Sequence, residues 1–265
     1  MTSSAKAVVA VLLLQAVSLV LGCYDVSTDA VGAEQVHWDY NTDGHHGPAH
    51  WHELKPEWSV CKTGMQQSPI NIVAADMVKD DGLGKLDARY KAKINATIAN
   101  DGHAVVVDLP PKSGALKIKG VTYHPAQFHF HMPSEHHIMN QSFPLEMHLV
   151  HKSEDGKLAV VGFLFVEGEE SEFLAQFVDK LPSYKEPNVK SNIGKIRLLR
   201  QNRNYGRYMG SLTTPPCAEN VTWTVMLWNF PTVSAHQLKL LSDSVPHTNN
   251  RPTFSSKGRN FHTSI

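Results

Sequence analysis

The chain has 265 residues, 42% of them hydrophobic, with 25 basic and 25 acidic side chains giving a formal net charge of zero. That hydrophobic content suffices for a sizeable core, and the neutral balance provides no basic field of the kind that draws nucleic acid or an anionic membrane. Sixteen histidines are many for this length and direct attention to metal chemistry.

Lys6 precedes an apolar run over residues 7–21 that is broken only by Gln15 and Ser18. The run is short for a membrane span and fits a signal peptide over residues 1–22, leaving a mature domain at 23–265. Secretion to the cell exterior or a periplasm is the expectation. An uncleaved anchor, or a lipid on Cys23 in the loosely lipoprotein-like Leu21-Gly22-Cys23, is the lesser alternative. Residues 24–58 are polar and hold His37, His45, His46, His50 and His52. No period fixes a geometry for these five, so they read as surface or packing histidines in preference to a second metal site. Trp38, Tyr40, Trp51 and Trp58 would tether the segment by burying aromatic surface.

Cys61 and Cys217 stand near the two ends of the mature domain. In an oxidising compartment they could form one bridge; two buried thiols are the alternative. Asn95, Asn140 and Asn220 open glycosylation sequons, and the third, at the start of an apolar strand pattern, is expected to be inaccessible.

From residue 91 to 230 the pattern is mainly strands and short turns. The clearest strands are 104–109, 158–166 and 221–228, and the almost wholly apolar 158–166 suits a central strand covered on both faces. Helices are expected at 171–181, where Phe173, Leu174, Phe177, Val178 and Leu181 form a stripe with Ser171 as cap, and at 234–241. Pro182, Pro187 and the basic run at 195–207 read as solvated loop. No repeat or break in composition marks a second domain.

The chemistry concentrates between Gln127 and His151, in QFHFHMPSEHHIMNQSFPLEMHLVH. Residues two apart share a face of a strand, so Gln127, His129 and His131 point one way while Phe128 and Phe130 point the other. In the second segment Glu146, His148 and Val150 share a face. Turn formers between the two segments make them neighbouring strands. One sheet face then carries three imidazoles, a set suited to a catalytic zinc with an open fourth position. Gln127 and Glu146 are placed to accept ring N–H bonds and orient those imidazoles.

FHFHMPSEH at 128–136, LEMHLVH at 145–151 and GSLTTPPC at 210–217 together resemble the α-class carbonic anhydrases, and the likeness extends from Trp38 to Arg251. WDYNTDGHHGPAHW and QQSPINI resemble further signatures of that family. The resemblance implies one domain built around a twisted, mostly antiparallel ten-stranded sheet with short peripheral helices. It also implies one Zn2+ per chain on His129, His131 and His148, and reversible hydration of carbon dioxide to bicarbonate by zinc-bound hydroxide. Thr213 and Glu135 match the pair that orients the hydroxide, and His103 matches the proton shuttle. Val150, Val160, Leu212, Thr214, Val221 and Trp223 match the substrate pocket, and Tyr40 and Asn100 match the water network. Secreted members bridge the positions of Cys61 and Cys217. Inhibition by sulfonamides and anions, and esterase side activity, are further expectations.

Two departures stand out. Val106 replaces the Asn or Gln that many members carry three residues after the shuttle, and Glu135 follows His131 by only four residues. Two rival functions are set against the resemblance. His129-Phe-His131-Met-Pro-Ser-Glu135 satisfies the cupin HxHxxxE pattern, but Tyr123 and Ser142 stand where cupins place glycine. A non-enzymatic binding or storage protein on the same fold is the other rival, and here all three metal histidines are retained.

Overall fold

The computed structural model describes residues 36–200, 204–245, 248–256 and 258–264. The expected signal segment and Cys23 lie outside the described residues. The strands are β1 Asn71–Ile72, β2 Met77–Lys79, β3 Asp87–Tyr90, β4 Ile94–Asn100, β5 Val105–Asp108, β6 Gly114–Ile118, β7 Val121–His131 and β8 His137–Ile138. They continue with β9 Leu145–Ser153, β10 Leu158–Glu167, β11 Ser191–Ile196, β12 Tyr205–Ser211, β13 Glu219–Met226, β14 Thr232–Val233 and β15 Phe261–Thr263. Ten of them lie side by side in the order β11-β4-β5-β7-β9-β10-β13-β12-β15-β2, with β6, β3 and β14 attached to this path. Pairing along the path is antiparallel except at β10–β13 and β15–β2. The resemblance implied a mostly antiparallel ten-stranded sheet, and ten strands do form the path, the three attached ones bringing the described sheet to thirteen.

Alternation along the central strands makes two apolar layers. On β10, Val161, Phe163 and Phe165 enter one cluster with Phe128, Phe130, Met147 and Leu149. Val160 and Leu164 enter the other, with Val221, Trp223 and Val225. Each such fully buried side chain is worth about 1.5–3 kcal/mol of hydrophobic burial. A third cluster ties down the N-terminal segment: Tyr40 and Trp51 pack on the Cys61–Cys217 disulfide, with Trp38 and Trp58 against them. The bridge closes a separation of 156 residues, worth about 5 kcal/mol on the chain-entropy account.

Three features depart from the sequence reading. The stretch 171–181 forms two 3-10 turns, Leu174–Gln176 and Val178–Lys180, in place of a helix. Phe177 leaves helical backbone at φ −151 between them. This break lets both Phe173 and Phe177 pack on Phe128. Within the basic run, β11 ends at Ile196 and β12 begins at Tyr205, so its two ends are strand and not solvated loop. Asn220 is exposed, not inaccessible, because it adopts φ 67 beside the irregular register at Gly210/Ser211 and steps out of the ladder. The C-terminal helix expectation holds: α1, Ala235–Ser242, is capped by Ser234 and Gln237 in a reciprocal capping box.

His151, fully buried on β9, shows how tightly this core is sealed. Its Nε2 lies 2.7 Å from the Tyr90 hydroxyl and its Nδ1 3.3 Å from the Ala159 carbonyl oxygen. Burial pushes its pKa down to about 4. The unfolded chain, with an ordinary histidine near about 6.5, therefore binds more protons between these values. The stability linked to His151 is complete above pH ~6.5 and is lost as pH falls toward 4, amounting to about 3 kcal/mol at 1.36 kcal/mol per unit. Denaturant unfolding at several pH values should show a shallower slope over this window for His151→Gln than for the parent. Equal slopes would remove His151 as the source.

Candidate metal centre and surrounding pocket

Register builds the site. β7 and β9 pair antiparallel with His129 opposite His148 and His131 opposite Glu146. Because Phe128 and Phe130 are committed to the main core, Gln127, His129 and His131 emerge on the other face. The ring centroids of His129 and His131 are 5.0 Å apart, those of His129 and His148 5.2 Å, and those of His131 and His148 4.5 Å. One ring nitrogen from each histidine lies within 4.8 Å of the other two.

The remaining ring nitrogens each meet a fixed acceptor. His129 Nδ1 donates to Gln127 Oε1 at 2.8 Å, His148 Nε2 to Glu146 Oε1 at 2.9 Å, and His131 Nδ1 to the Asn249 carbonyl oxygen at 2.6 Å. Each acceptor selects the tautomer that turns a lone pair toward the common centre. His131 Nε2 is buried there without a hydrogen-bond partner. Burial is the leading cause that lowers the pKa of all three, and for His129 repulsion from His131 and His148 lowers it further. Neutral imidazoles whose ring nitrogens converge, one of them without a partner among the described residues, fit a bound cation.

Glu146 anchors this arrangement. Its Oε2 accepts the main-chain N–H groups of Glu135 and His136 at 2.9 and 2.8 Å, and its Oε1 accepts from His136 Nδ1 at 2.7 Å as well as from His148. Burial by itself would raise the pKa of this carboxyl, but His136 and His148 hold it well below the ordinary range. Gly162 on β10 makes room, since a Cβ there would stand 3.0 Å from Glu146 Oε1. Behind His136 a buried polar chain continues through the Tyr208 hydroxyl at 2.7 Å to Ser68 Oγ at 2.8 Å.

Glu135 closes the other side. Its Oε1 accepts the Arg251 N–H at 2.8 Å, and its Oε2 lies 3.5 Å from His131 Nε2 and 3.9 Å from His148 Nδ1. Burial pushes its pKa up to about 7, opposed by His148 and by the hydroxyl of Thr213. Glu135 Oε2 itself has no hydrogen-bond partner among the described residues. Val150, Val160, Leu212, Val221 and Trp223 join one apolar cluster beside the imidazoles, with the Trp223 ring 4.7 Å from that of His148. Thr214 sits in the same loop, where its carbonyl oxygen accepts the Cys217 N–H.

His103 occupies a turn held by Asp101, whose Oδ1 accepts the N–H groups of His103 and Ala104. The imidazole stacks on Trp38 at 3.8 Å and its Nε2 donates to the Trp38 carbonyl oxygen at 2.9 Å. Tyr40 is buried among Trp38 and Trp51. Asn100 is also buried, and its amide is committed to main chain: Nδ2 donates to Ser244 O at 2.6 Å and Oδ1 accepts from Gly102. It therefore braces the His103 turn. Val106 pairs directly with His129 across β5 and β7.

Sequence reasoning missed Asn249 and Arg251, which lie in irregular chain with no period to betray them. Asn249 is a junction: besides its bond to His131, its Oδ1 accepts from Met132 N, and its Nδ2 donates to the carbonyl oxygens of Phe130 and His103. Arg251 reaches Cys61 O, Gln67 Oε1 and Ser68 O, linking Glu135 to the disulfide region.

The profile of the eukaryotic-type carbonic anhydrases matches residues 46–263. The chain belongs to that family. It is 38% identical to a carbonic anhydrase of Pectobacterium carotovorum over 237 residues, 88% of this chain and 93% of the relative. It is equally similar, at 38% over 232 residues, to dioscorin dioA3 of Dioscorea japonica, covering 86% and 83% of the two chains. The solved α-carbonic anhydrase of Thermovibrio ammonificans in complex with sulfanilamide superposes with a TM-score of 0.80 at 36% identity, over 86% of this chain and 100% of the other.

Removing the Gln127 carboxamide frees His129 to rotate without opening the core. Gln127→Ala should weaken divalent-metal affinity by roughly 10- to 100-fold in competition with a chelator, while the melting temperature of the metal-free protein stays near the parent's. Unchanged affinity would show that this bond does not orient a ligand.

Proposed function

We propose that the protein catalyses reversible hydration of carbon dioxide to bicarbonate and a proton, with one zinc ion held by His129, His131 and His148. The observation that carries this reading is the set of three neutral imidazoles, each oriented by its own acceptor, converging beside an apolar wall. When bound, zinc lowers the pKa of a coordinated water to about 7 and so supplies a nucleophile at neutral pH, carbonic anhydrase itself being the reference case for that value.

The residues around it have distinct tasks. Thr213 would donate its hydroxyl hydrogen to Glu135 and keep its oxygen as an acceptor, so that it would take the hydrogen bond of a hydroxyl group held at the centre. Arg251 N–H holds Glu135 in place for that role. Val150, Val160, Leu212, Val221 and Trp223 offer a small apolar molecule a surface where water gains nothing, and Thr214 provides a polar contact for bicarbonate. His103 exports the proton, its imidazole having two ring nitrogens through which a proton is taken up and handed on. Tyr40 and Asn100 support that route, Asn100 by fixing the turn. The sulfanilamide complex of the Thermovibrio relative supports sulfonamide binding here as well, and activated esters suit the same nucleophile.

The disulfide supports maturation outside a reducing cytoplasm, and with it removal of residues 1–22 and a mature catalytic domain at 23–265. Asn95, Asn140 and Asn220 are all exposed and are proposed as glycan acceptors in a eukaryotic host. A second reading, a binding or storage protein on this fold, is favoured by one observation: a relative named dioscorin is as similar as one named carbonic anhydrase.

Stopped-flow measurement with the purified domain should show carbon dioxide hydration that disappears on chelation and returns with zinc, and His148→Ala should lose both metal and activity. One zinc per chain without hydration would favour the binding role, and full activity in His148→Ala would remove that ligand. His103→Ala should slow turnover on the order of 10²-fold in weak buffer, with imidazole restoring most of it. A rate unaffected by the substitution would take the shuttle away from His103.

A further inference from the structure

The N-terminal histidines do not all behave as scattered surface groups. His50 and His52 both approach the Glu53 carboxylate, at 3.1 and 3.2 Å, and His52 also meets Lys62 Nζ at 3.1 Å. His37 and His46 instead converge on each other and on Asp39. Their rings stand 5.0 Å apart, His37 Nε2 is 3.8 Å from Asp39 Oδ2, and one donor atom from each of the three residues lies within 4.8 Å of the others.

The backbone holds this grouping in place. Asp39 N donates to the His46 carbonyl oxygen at 3.0 Å, closing the intervening segment into a loop. Inside it Gly44 N donates to Asn41 O, and just beyond it Gly47 N donates back to Gly44 O. Gly47 is obligatory, because a Cβ there would collide with the Asn41 carbonyl oxygen. Asp39 is fixed twice more: its Oδ1 accepts the Asn41 N–H at 2.9 Å and its carbonyl oxygen accepts from Trp51 Nε1 at 3.0 Å. These bonds leave Oδ2 on the side of His37. Two of the three donors thus ride on a braced loop, and the third, His37, has a side chain 70% exposed and free to rotate. Ligand bonds of about 2.0 Å place neighbouring donors of a square Cu2+ site about 2.8 Å apart, so the three donors, now within 4.8 Å of one another, have to draw together by side-chain rotation.

We propose that His37, Asp39 and His46 form a second, surface site for a divalent transition cation, separate from the His129–His131–His148 centre. Two imidazoles and a carboxylate suit borderline ions, and Cu2+ binds such a set most tightly of the divalent first-row series. Water completes the coordination on the open side. The site does not depend on the proposed carbon dioxide chemistry and survives its failure.

The test is Cu2+ titration of the full protein with its histidine triad already loaded with zinc, followed by calorimetry, zinc analysis and electron paramagnetic resonance. One Cu2+ per chain should bind without displacing zinc, with hyperfine splitting from two nitrogens. His37→Ala and His46→Ala should each lower the affinity at least tenfold, and Asp39→Asn, which keeps the bond to Asn41, should lower it by a smaller factor. Zinc content, melting temperature and hydration rate should stay at parent levels in all three variants, while His45→Ala should bind Cu2+ as the parent does. Copper that enters only by displacing zinc overturns the proposal. So does copper retained at parent affinity in both His37→Ala and His46→Ala, whether at the chain's own amino terminus or elsewhere.

Discussion

The pairing of β7 with β9 is the constraint on which the rest of the molecule depends. Side chains alternate along a strand, so a slip of one residue would turn His129 and His131 into the main core and bring Phe128 and Phe130 to the pocket. The phenylalanines oppose that slip with their full hydrophobic burial, reinforced by Met147 and Leu149 on β9. Greasy residues on one face therefore hold the polar face in position. β10 continues the logic, sending Val161, Phe163 and Phe165 to the core and Val160 and Leu164 to the other layer.

On the polar face, the buried Glu146 carboxylate is tolerated because four donors surround it. It joins elements that are otherwise only neighbours: β9, the 135–136 segment and, through His136 and Tyr208, β12 and Ser68. Glu135 is different. One of its oxygens is satisfied by Arg251, and the other looks toward the imidazoles with its pKa raised by burial. The contrast between these carboxyls separates a group that fixes structure from one that stays responsive to what enters the centre.

Much of this was legible in the sequence because strand period two is a strong signal. The alternation of 127–131 and of 146–150 sufficed to place three imidazoles on one face, and the apolar run at 158–166 to place a central strand. Legibility failed where side-chain period carries no information. The apolar stripe at 171–181 is compatible with a helix, yet the aromatic partners on β7 favour two broken turns. Asn249 orients His131 through a main-chain oxygen, which no residue type advertises. His37 and His46 approach each other only because a loop closes through the hydrogen bond between residues 39 and 46, and nothing in their spacing announces that closure.

The third acceptor has a bearing on biosynthesis. Gln127 and Glu146 each lie two residues from the histidine they orient, so those tautomers are set as soon as β7 and β9 meet. His131 waits for an oxygen 118 residues downstream. A nascent chain interrupted before that point would pair its central strands and align two imidazoles, yet leave the third free to spin. Completion of the centre is thereby tied to synthesis of the segment that carries residue 249, well after the strands that bear the three imidazoles.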